Sequence, residues 1–352
     1  MRRLHWTLVL SCLTCTLSTG AAKAQQDETV DPLFASDDIL EARIVAPIDI
    51  ITKDRPIEEE VAGSFIYTAG DGKSVELDVG VRTRGLYRRR TDVCPFPPIR
   101  LNFKKSQVKN SLFAGQDKLK LVTHCRTGSY HLEQAVIAEY LAYRILNLLT
   151  DTSFRVKLMR ITYVSANDDP GVTGYALFIE HKDRLAKRLG SPVLAVAEMS
   201  VADLPADYVN LISVFHYLIG NTDYSLFTSA PDQDCCHNHT PFGGEDKPYY
   251  SIPYDFDMSG LVAAPYASPN PKLRLSSVQE RLYRGFCVNN ELLPATLEEF
   301  QAKREDIETL IRGQAELSRS KRKEMLGFIN DFYRTTARTK SVDRYLVKKC
   351  RS

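Results

Sequence analysis

The fold is decided by the segment that spans residues 216–262, because two short sequences in it each follow an apolar run. The first sequence is HYLIGNTDYS at residues 216–225, and the second is YDFDMSG at residues 254–260. Each contains an aspartate shortly after a stretch that predicts regular secondary structure. Acidic side chains are therefore expected at the ends of two rigid elements.

The two elements are a helix and a strand. Val209–Ile219 is apolar and ends at Gly220, the residue type that most often terminates a helix. Tyr249–Tyr254 is rich in tyrosine and predicts a strand. Asp223 follows the helix, and Asp255 follows the strand. This arrangement suits phosphoryl transfer, in which one carboxylate orients a hydroxyl and another holds the Mg²⁺ that bridges nucleotide phosphates.

The order of helix, Asp, loop, strand and Asp-Phe-Asp resembles the catalytic half of a kinase. The chain is similar to the CotH kinase-like family of spore-coat and secreted proteins and, more distantly, to the HipA toxins. The resemblance covers roughly residues 60–290 and is most specific in GNTD at 220–223 and DFD at 255–257. It implies an α+β, two-lobed atypical protein-kinase-like fold, with an antiparallel-sheet N-lobe at residues 41–182 and a mainly helical C-lobe at 183–352.

The resemblance also implies roles for the acidic residues. Asp223 is the predicted catalytic residue, which orients or deprotonates an acceptor hydroxyl, and Asp255 is the predicted main Mg²⁺ ligand, with Asp257 as a second. Ordinary kinases place a metal-binding Asn shortly after the catalytic Asp, where this chain has a threonine, so Asn238 is the nearest downstream candidate and Asn221 an alternative. Taken singly, each aspartate has a plainer interpretation as a capping or turn residue.

The first lobe contains a run of five arginines within nine residues, Arg82–Arg90. One interpretation is a solvated strand edge, as most charge runs are. The other is a cradle for phosphates in which Arg84 binds the anion and Gly85 lets the backbone approach closely. Members of the CotH family carry an Arg-Gly motif at this point. The glycine-rich loop of ordinary protein kinases is absent from the sequence.

Three further residues are predicted to bind the nucleotide. Lys120 lies on a predicted strand and Glu133 in the first turn of the following helix, the order in which kinases place their lysine–glutamate pair. A surface lysine and a helix-dipole glutamate are the alternative. Glu180 ends a strand that resembles the CotH-like strand before the interlobe linker, where backbone groups would meet an adenine ring. His216 is predicted to be a packing or capping residue.

Hairpins and helices account for most of the remaining sequence. The predicted elements are strands at 62–68 and 75–81 joined by AGDGK, strands at 156–164 and 173–180, a helix at 132–149, a short helix at 183–189, a capping box at 200–203 and a helical pair between 296 and 345. The pattern therefore predicts strands mainly before residue 182 and helices mainly after it.

The N-terminus predicts export. Residues 1–24 combine two leading arginines, an apolar core and the small-x-small sequence AKA, which are typical of a cleaved signal peptide. Residues 25–40 predict a flexible lead-in. The apolar core is shorter than the roughly 18 residues that a spanning helix needs, so no integral span is expected after cleavage. The expected location is periplasmic or extracellular.

Net charge excludes one class of partner. The chain has 46 basic and 44 acidic residues, and removal of residues 1–24 takes away three basic residues and no acidic one. The mature protein is therefore almost neutral, which does not favour a nucleic-acid binder. The expected partners are a nucleotide and an unidentified protein or glycan acceptor.

Six cysteines remain after cleavage, and an exported protein is expected to pair them as disulfides. Cys94 with Cys125, and Cys235 or Cys236 with Cys287, are the predicted pairs. The sequence CCHNH at 235–239 also suggests zinc, but adjacent cysteines lack the usual spacer, so a disulfide is preferred.

Three functions are compatible with these residues. The first is an exported CotH-like kinase that transfers phosphate from ATP, with Mg²⁺ or Mn²⁺, to a protein or small hydroxyl acceptor. The second is a catalytically inactive kinase-like envelope protein that binds a partner or an anionic glycan. The third is a metal-binding envelope protein that uses the CCHNH sequence.

Overall fold

The computed structural model describes residues 31–165, 170–231 and 233–352. The predicted signal peptide, residues 25–30 of the predicted lead-in and part of the turn between the strands at 156–164 and 173–180 lie outside the described residues.

Seven strands form a closed barrel in the described part of the chain. They are β1 Leu40–Val45, β2 Val61–Thr68, β3 Ser74–Thr83, β4 Ile99–Phe103, β5 Lys118–Val122, β6 Val156–Val164 and β7 Val172–Ile179. Their order around the barrel is β1-β2-β3-β4-β5-β7-β6, and β6 returns to β1. The predicted hairpins β2–β3 and β6–β7 are confirmed as antiparallel pairs.

The predicted two-lobed kinase fold with an antiparallel-sheet N-lobe is wrong. The strands make a closed mixed barrel, in which β1 and β6 pair in parallel from Leu40 opposite Met159 to Val45 opposite Val164. Hairpin signals report only pairings between neighbouring strands, so a parallel pair separated by more than a hundred residues leaves no local sequence signal. That one pair closes the sheet and removes its open edges.

The barrel interior is an apolar core. Alternation along β3 places Leu77, Val79 and Val81 inside. Phe65 of β2 and Phe113 of the loop before β5 fill the centre, with their ring centroids 4.9 Å apart. Burial of each such side chain stabilises the fold by about 1.5–3 kcal/mol. The intervening residues of β3, β4 and β5 therefore face outward, where they are available for binding.

Nine α-helices pack outside the barrel or follow it in the described residues. They are α1 Ile48–Lys53, α2 Lys105–Val108, α3 Tyr130–Leu149, α4 Lys182–Leu189, α5 Ala206–Ile219, α6 Leu293–Ala302, α7 Arg304–Gly313, α8 Arg319–Thr336 and α9 Thr339–Tyr345. α3 contributes Ile137, Leu141 and Ile145 to a second core, which also contains residues of α5 to α8. None of the described helices has the length and apolarity that crossing a membrane requires.

The segment at residues 216–262, which was expected to decide the fold, begins at the end of α5 and contains a two-stranded hairpin. The predicted helix is confirmed and ends at Gly220, which adopts the left-handed conformation with φ 63°. The hairpin consists of β8 His239–Gly244 and β9 Lys247–Pro253. The loops that follow α5 and β9 run next to each other, since Gly260 N donates a hydrogen bond of 3.1 Å to Gly220 O. The capping box at Ser200 is present, although it opens a 3₁₀ turn.

Three disulfides connect the six described cysteines. Cys94–Cys125 is confirmed as predicted. The predicted bond to Cys287 is wrong in its partner, because Cys287 pairs with Cys350, and Cys235 pairs with its neighbour Cys236. The sequence separation of 63 residues between Cys287 and Cys350 is bridged only because the C-terminal helices return the chain to this point. Because Cys235 and Cys236 are bonded to each other, neither can supply a thiolate to zinc, which agrees with the predicted preference for a disulfide at this sequence.

Substitution of Gly220 tests how strictly the turn after α5 is constrained. A Cβ there would lie 2.7 Å from a ring carbon of Phe328, and the φ of 63° is unfavourable for other residues. Gly220→Ala is expected to lower the free energy of unfolding in urea by about 1–3 kcal/mol. Gly327→Ala, within α8 and with no atom within 4 Å of the added Cβ, is the control and should stabilise by up to about 1 kcal/mol. Equal stability of Gly220→Ala and wild type would contradict this account.

Candidate functional site

A cavity of about 500 Å³ lies where the outer face of β3, β4 and β5 meets the loops after α5 and β9. Six of the eight predicted site residues line it, namely Arg84, Lys120, Asp223, Asn238, Asp255 and Asp257. The barrel therefore supplies the basic wall of the cavity, and the segment from 216 to 262 supplies the acidic one.

Glu133 and Glu180 do not join this group. Glu133 lies in the first turn of α3 and is absent from the cavity lining, so it does not pair with Lys120. Glu180 is buried and lines a neighbouring cavity of about 520 Å³. Its Oε2 accepts hydrogen bonds from Arg155 N at 3.0 Å and Arg188 Nη2 at 2.8 Å. Its side chain therefore joins β7 to α4 and is not free for a ligand.

The basic wall is a row of cations in register across three strands. Arg82 is opposite Arg100 on the β3–β4 pair, and Arg100 is opposite Lys120 on the β4–β5 pair. Arg84 follows two residues after Arg82 and also lines the cavity. Like charges directly opposite one another destabilise a sheet. A folding requirement does not explain such a row, whereas a bound anion would.

Three of these cations form no ion pair with a carboxylate in the part of the chain that the structure describes. Arg84 makes no side-chain hydrogen bond there and its Nε is buried, Arg100 contacts His181 Nε2 at 3.4 Å, and Lys120 Nζ lies 4.4 Å from the ring centroid of Tyr254. By contrast, Arg82 Nε lies 3.9 Å from a Glu60 oxygen.

Burial and mutual repulsion set the pKa of these groups. Burial, followed by the repulsion of Arg84, lowers the pKa of Lys120 to about 7. Burial also lowers the pKa of Arg84, and burial with the charge of Arg82 lowers that of Arg100. A bound anion would reverse these effects, because it supplies the missing counter-charge. The wall is therefore suited to a phosphate, sulfate or carboxylate group.

Asp223 is fixed in the opposite wall by its neighbours. His237 Nε2 donates to Asp223 Oδ1 at 2.8 Å, and Asn238 Nδ2 donates to Asp223 Oδ2 at 3.0 Å. Asp223 is about one-third exposed, at 34 %, and faces the cavity. The hydrogen bond between Asp223 and His237 is the main cause of the raised pKa of His237. The pair is thus an acid–base group with solvent access.

A buried chain of hydrogen bonds holds the Asp223 loop. Asp223 N donates to Asn221 Oδ1 at 3.0 Å, and Asn221 Nδ2 donates to His216 Nδ1 at 3.2 Å. His216 Nε2 lies 3.0 Å from His239 Nε2, and His239 Nδ1 donates to Ser251 O at 2.9 Å. Burial lowers the pKa of His239 to about 3 and that of His216 well below its usual value, so both rings are neutral. His216 therefore has a positioning role.

Arg88 connects three carboxylates at the base of the cavity. Its Nη2 lies 2.8 Å from Asp255 Oδ1, its Nε 3.2 Å from Asp257 Oδ2 and its Nη1 3.4 Å from Glu139 Oε2. Burial opposes its charge, yet the acidic groups, Asp257 first, hold the pKa of Arg88 well above its usual value. Burial raises the pKa of both Glu139 and Asp257.

The backbone at Asp255 adopts a rare conformation. Its φ is 63°, in the left-handed region that is unfavourable for residues other than glycine, and its N–H donates to Tyr143 Oη at 2.8 Å. Such strain persists only where surrounding contacts impose it, and it concentrates at functional sites. The turn directs the Asp255 carboxylate towards Arg88.

The predicted metal ligands do not fit Mg²⁺ as they lie. The described residues contain no group of three or more His, Cys, Asp or Glu side chains placed to hold a metal ion. Asp255 and Asp257 both bind Arg88, and the Asn238 amide is used on Asp223. The guanidinium lies where a shared cation would have to be.

Sequence reasoning gave no role to Arg100 or Glu139, named Arg88 only within the arginine run and left His237 without an assigned role. Glu139 carried a usable signal, because it is the lone acid within the apolar run AVIAEYLA at 135–142, and a charged residue within such a run is seldom buried without a partner. His237 directly precedes the predicted Asn238. Arg88 and Arg100 carried no signal that separates them from the other arginines.

Comparison with known protein families finds no family model that matches the chain, and no curated protein matches it either. The resemblance to CotH kinase-like proteins therefore stays a prediction that rests on short motifs.

Titration of Lys120 gives the site a testable pH dependence. Sulfate keeps a fixed charge near neutral pH, so any change in its affinity reports on the protein. Because the pKa of Lys120 is about 7, the lysine is cationic below this pH and neutral above it. Sulfate affinity, measured by calorimetry, is expected to fall by up to about tenfold between about pH 6 and pH 8.

Lys120→Arg is the matched control, because arginine stays charged throughout this range. Its sulfate affinity should change much less with pH. The same pH dependence in wild type and Lys120→Arg would assign the titration to another group.

Proposed function

We propose that the protein is an exported phosphotransferase, as its resemblance to CotH-like kinases implies, which binds the phosphates of ATP in the 500 Å³ cavity and transfers one to a hydroxyl acceptor. The observation that carries the proposal is the row of cations across β3, β4 and β5, extended by Arg84 just after β3. Arg84, Arg100 and Lys120 have no carboxylate partner among the described residues, and they line the same cavity as Asp223. Export is supported by the signal-like residues 1–24 and by the disulfides.

The basic wall matches the charge of a polyphosphate. Arg84, Arg100 and Lys120 are cationic donors in a partly desolvated wall, where hydrogen bonds to charged groups contribute about 1.5–3 kcal/mol each. Arginine presents a planar pair of donors to two phosphate oxygens, and lysine presents a point charge. Together they would neutralise charge on the transferred group and on the leaving diphosphate.

Asp223 is the residue assigned to the acceptor. In the proposed step, a hydroxyl proton moves to the Asp223 carboxylate while the hydroxyl oxygen forms a bond to the γ-phosphorus. The bond from that phosphorus to the bridging oxygen breaks, and the electron pair leaves with the nucleoside diphosphate. The hydrogen bonds from His237 and Asn238 fix the orientation of the carboxylate. Each acceptor gains one phosphoryl group.

A second function is supported by a different observation. Both oxygens of Asp223 already accept hydrogen bonds, and Arg88 binds both Asp255 and Asp257. A site with its acids so occupied favours an inactive protein that binds an anionic glycan or a phosphorylated partner without transfer. Phosphate transfer distinguishes the two functions, whereas anion binding is common to both.

Single neutral substitutions in the basic wall should weaken ligand binding. Arg84→Gln, Arg100→Gln and Lys120→Gln are each expected to reduce the affinity for ATP, measured by calorimetry, by about 10–100-fold, because each removes one charge-assisted hydrogen bond.

Arg90→Gln is the control for these variants. Arg90 belongs to the same arginine run, but it is exposed, pairs with Asp92 and does not line the cavity. An equal loss of ATP affinity in Arg90→Gln would show a general charge effect rather than a site.

Phosphoryl transfer itself should depend on Asp223. With radiolabelled ATP, and with water and the protein itself as acceptors, Asp223→Asn is expected to reduce transfer by about 10²–10⁴-fold. ATP affinity should stay within about threefold of wild type, since Asp223 is not assigned to ATP binding. Asp92→Asn, an exposed acid outside the cavity, is the control. ATP binding by wild type with no transfer would favour the inactive function.

A further inference from the structure

We propose that Arg88 permanently takes the place of a divalent cation in this cavity, so that the phosphorylated ligand is bound without a metal ion. The inference rests on the proposed function only in requiring that a phosphate group binds here. It concerns whether a metal ion binds together with the ligand, and it holds whether or not the phosphate is then transferred.

The guanidinium is enclosed by acids from separate parts of the chain. Glu139 comes from the middle of α3, and Asp255 and Asp257 come from the loop after β9. Arg88 exposes only 7 % of its side chain, and each of its three nitrogens lies within 3.4 Å of a different carboxylate. The fold therefore gathers three carboxylates around a cation that the chain itself supplies, and within the described residues these carboxylates form no metal site while Arg88 lies between them.

A metal ion would have to displace this residue. A guanidinium stays protonated in proteins, so a change of pH does not release it. Breaking a buried pair by removing one partner is strongly destabilising, because the other charge is left buried without compensation. Coordination of Mg²⁺ would therefore need the loss of contacts that also hold the barrel to the loop after β9.

The basic wall makes a metal ion unnecessary for neutralising the ligand. In sites that use Mg²⁺, the ion and a lysine or arginine share the charge of the phosphates. Here Arg84, Arg100 and Lys120 line the cavity without carboxylate partners in the described residues, while Asp255 and Asp257 beneath them are engaged with Arg88. A phosphate group therefore meets three unpaired cationic side chains with no added cation.

The wild-type protein provides the first test. Binding of inorganic pyrophosphate and of ATP is measured by calorimetry in EDTA and again in excess Mg²⁺. We expect both to bind in EDTA, with affinities no weaker than in Mg²⁺. Binding that requires Mg²⁺ would overturn the inference and leave the proposed function intact. Failure of both compounds to bind under either condition would overturn the proposed function and the inference with it.

Removal of Arg88 provides the second test. Arg88→Gln leaves Glu139, Asp255 and Asp257 without their cation, so this variant is expected to bind Mn²⁺, detected as loss of the free-ion signal in electron paramagnetic resonance. Mn²⁺ should also raise its Tm, and it should do neither for wild type. Arg90→Gln, from the exposed end of the same run, should behave as wild type.

Two outcomes of the Mn²⁺ experiment count against the inference. Tight Mn²⁺ binding by wild type would show that Arg88 does not exclude the ion, and no Mn²⁺ binding by folded Arg88→Gln would show that it does not occupy a cation position. Should Arg88→Gln fail to fold, the comparison of EDTA with Mg²⁺ in wild type still decides the question.

Discussion

The contact between Arg88 and its three carboxylates is the interaction on which the arrangement of the site depends. It joins the segment after β3 to α3 and to the loop after β9, and these parts of the molecule have no other charged link of this kind in the described residues. Because the group is buried, its attraction is weakly screened and its loss would leave uncompensated charge. The position of Asp255, and with it the shape of the cavity, follows from this contact.

The basic wall, on the other side of the cavity, places cationic side chains next to one another. Arg100 lies between Arg82 and Lys120 in the sheet register, which the barrel holds in place despite their repulsion. The apolar interior of the barrel supplies the stability that makes this possible. A negatively charged ligand would relieve this repulsion. The residues that repel one another in the basic wall would then contribute favourably to ligand binding.

Local patterns predicted the elements and several of the site residues. The helix before Gly220, the hairpin β2–β3 and the pair Cys94–Cys125 were all readable, because each depends on residues close in sequence or on a simple bracket around a hairpin. Asp223 and Asp255 were readable because each follows such an element. The predicted pair of Lys120 and Glu133 is not found in the described residues, and the acid of α3 that reaches the site is Glu139, which binds Arg88 rather than Lys120.

By itself, the sequence determined many of the helices and strands, because periodicity and turn residues act over a few positions, although the helical pair predicted between 296 and 345 consists of the four helices α6 to α9. It also determined that acids would follow α5 and β9. Only the tertiary structure decided that β6 pairs in parallel with β1 to close a barrel, that Arg88 lies among the acids, and that Arg100 and Lys120 stand side by side. These are contacts between residues far apart in the chain, and the energy that selects them comes from the packing of the whole molecule rather than from local preference.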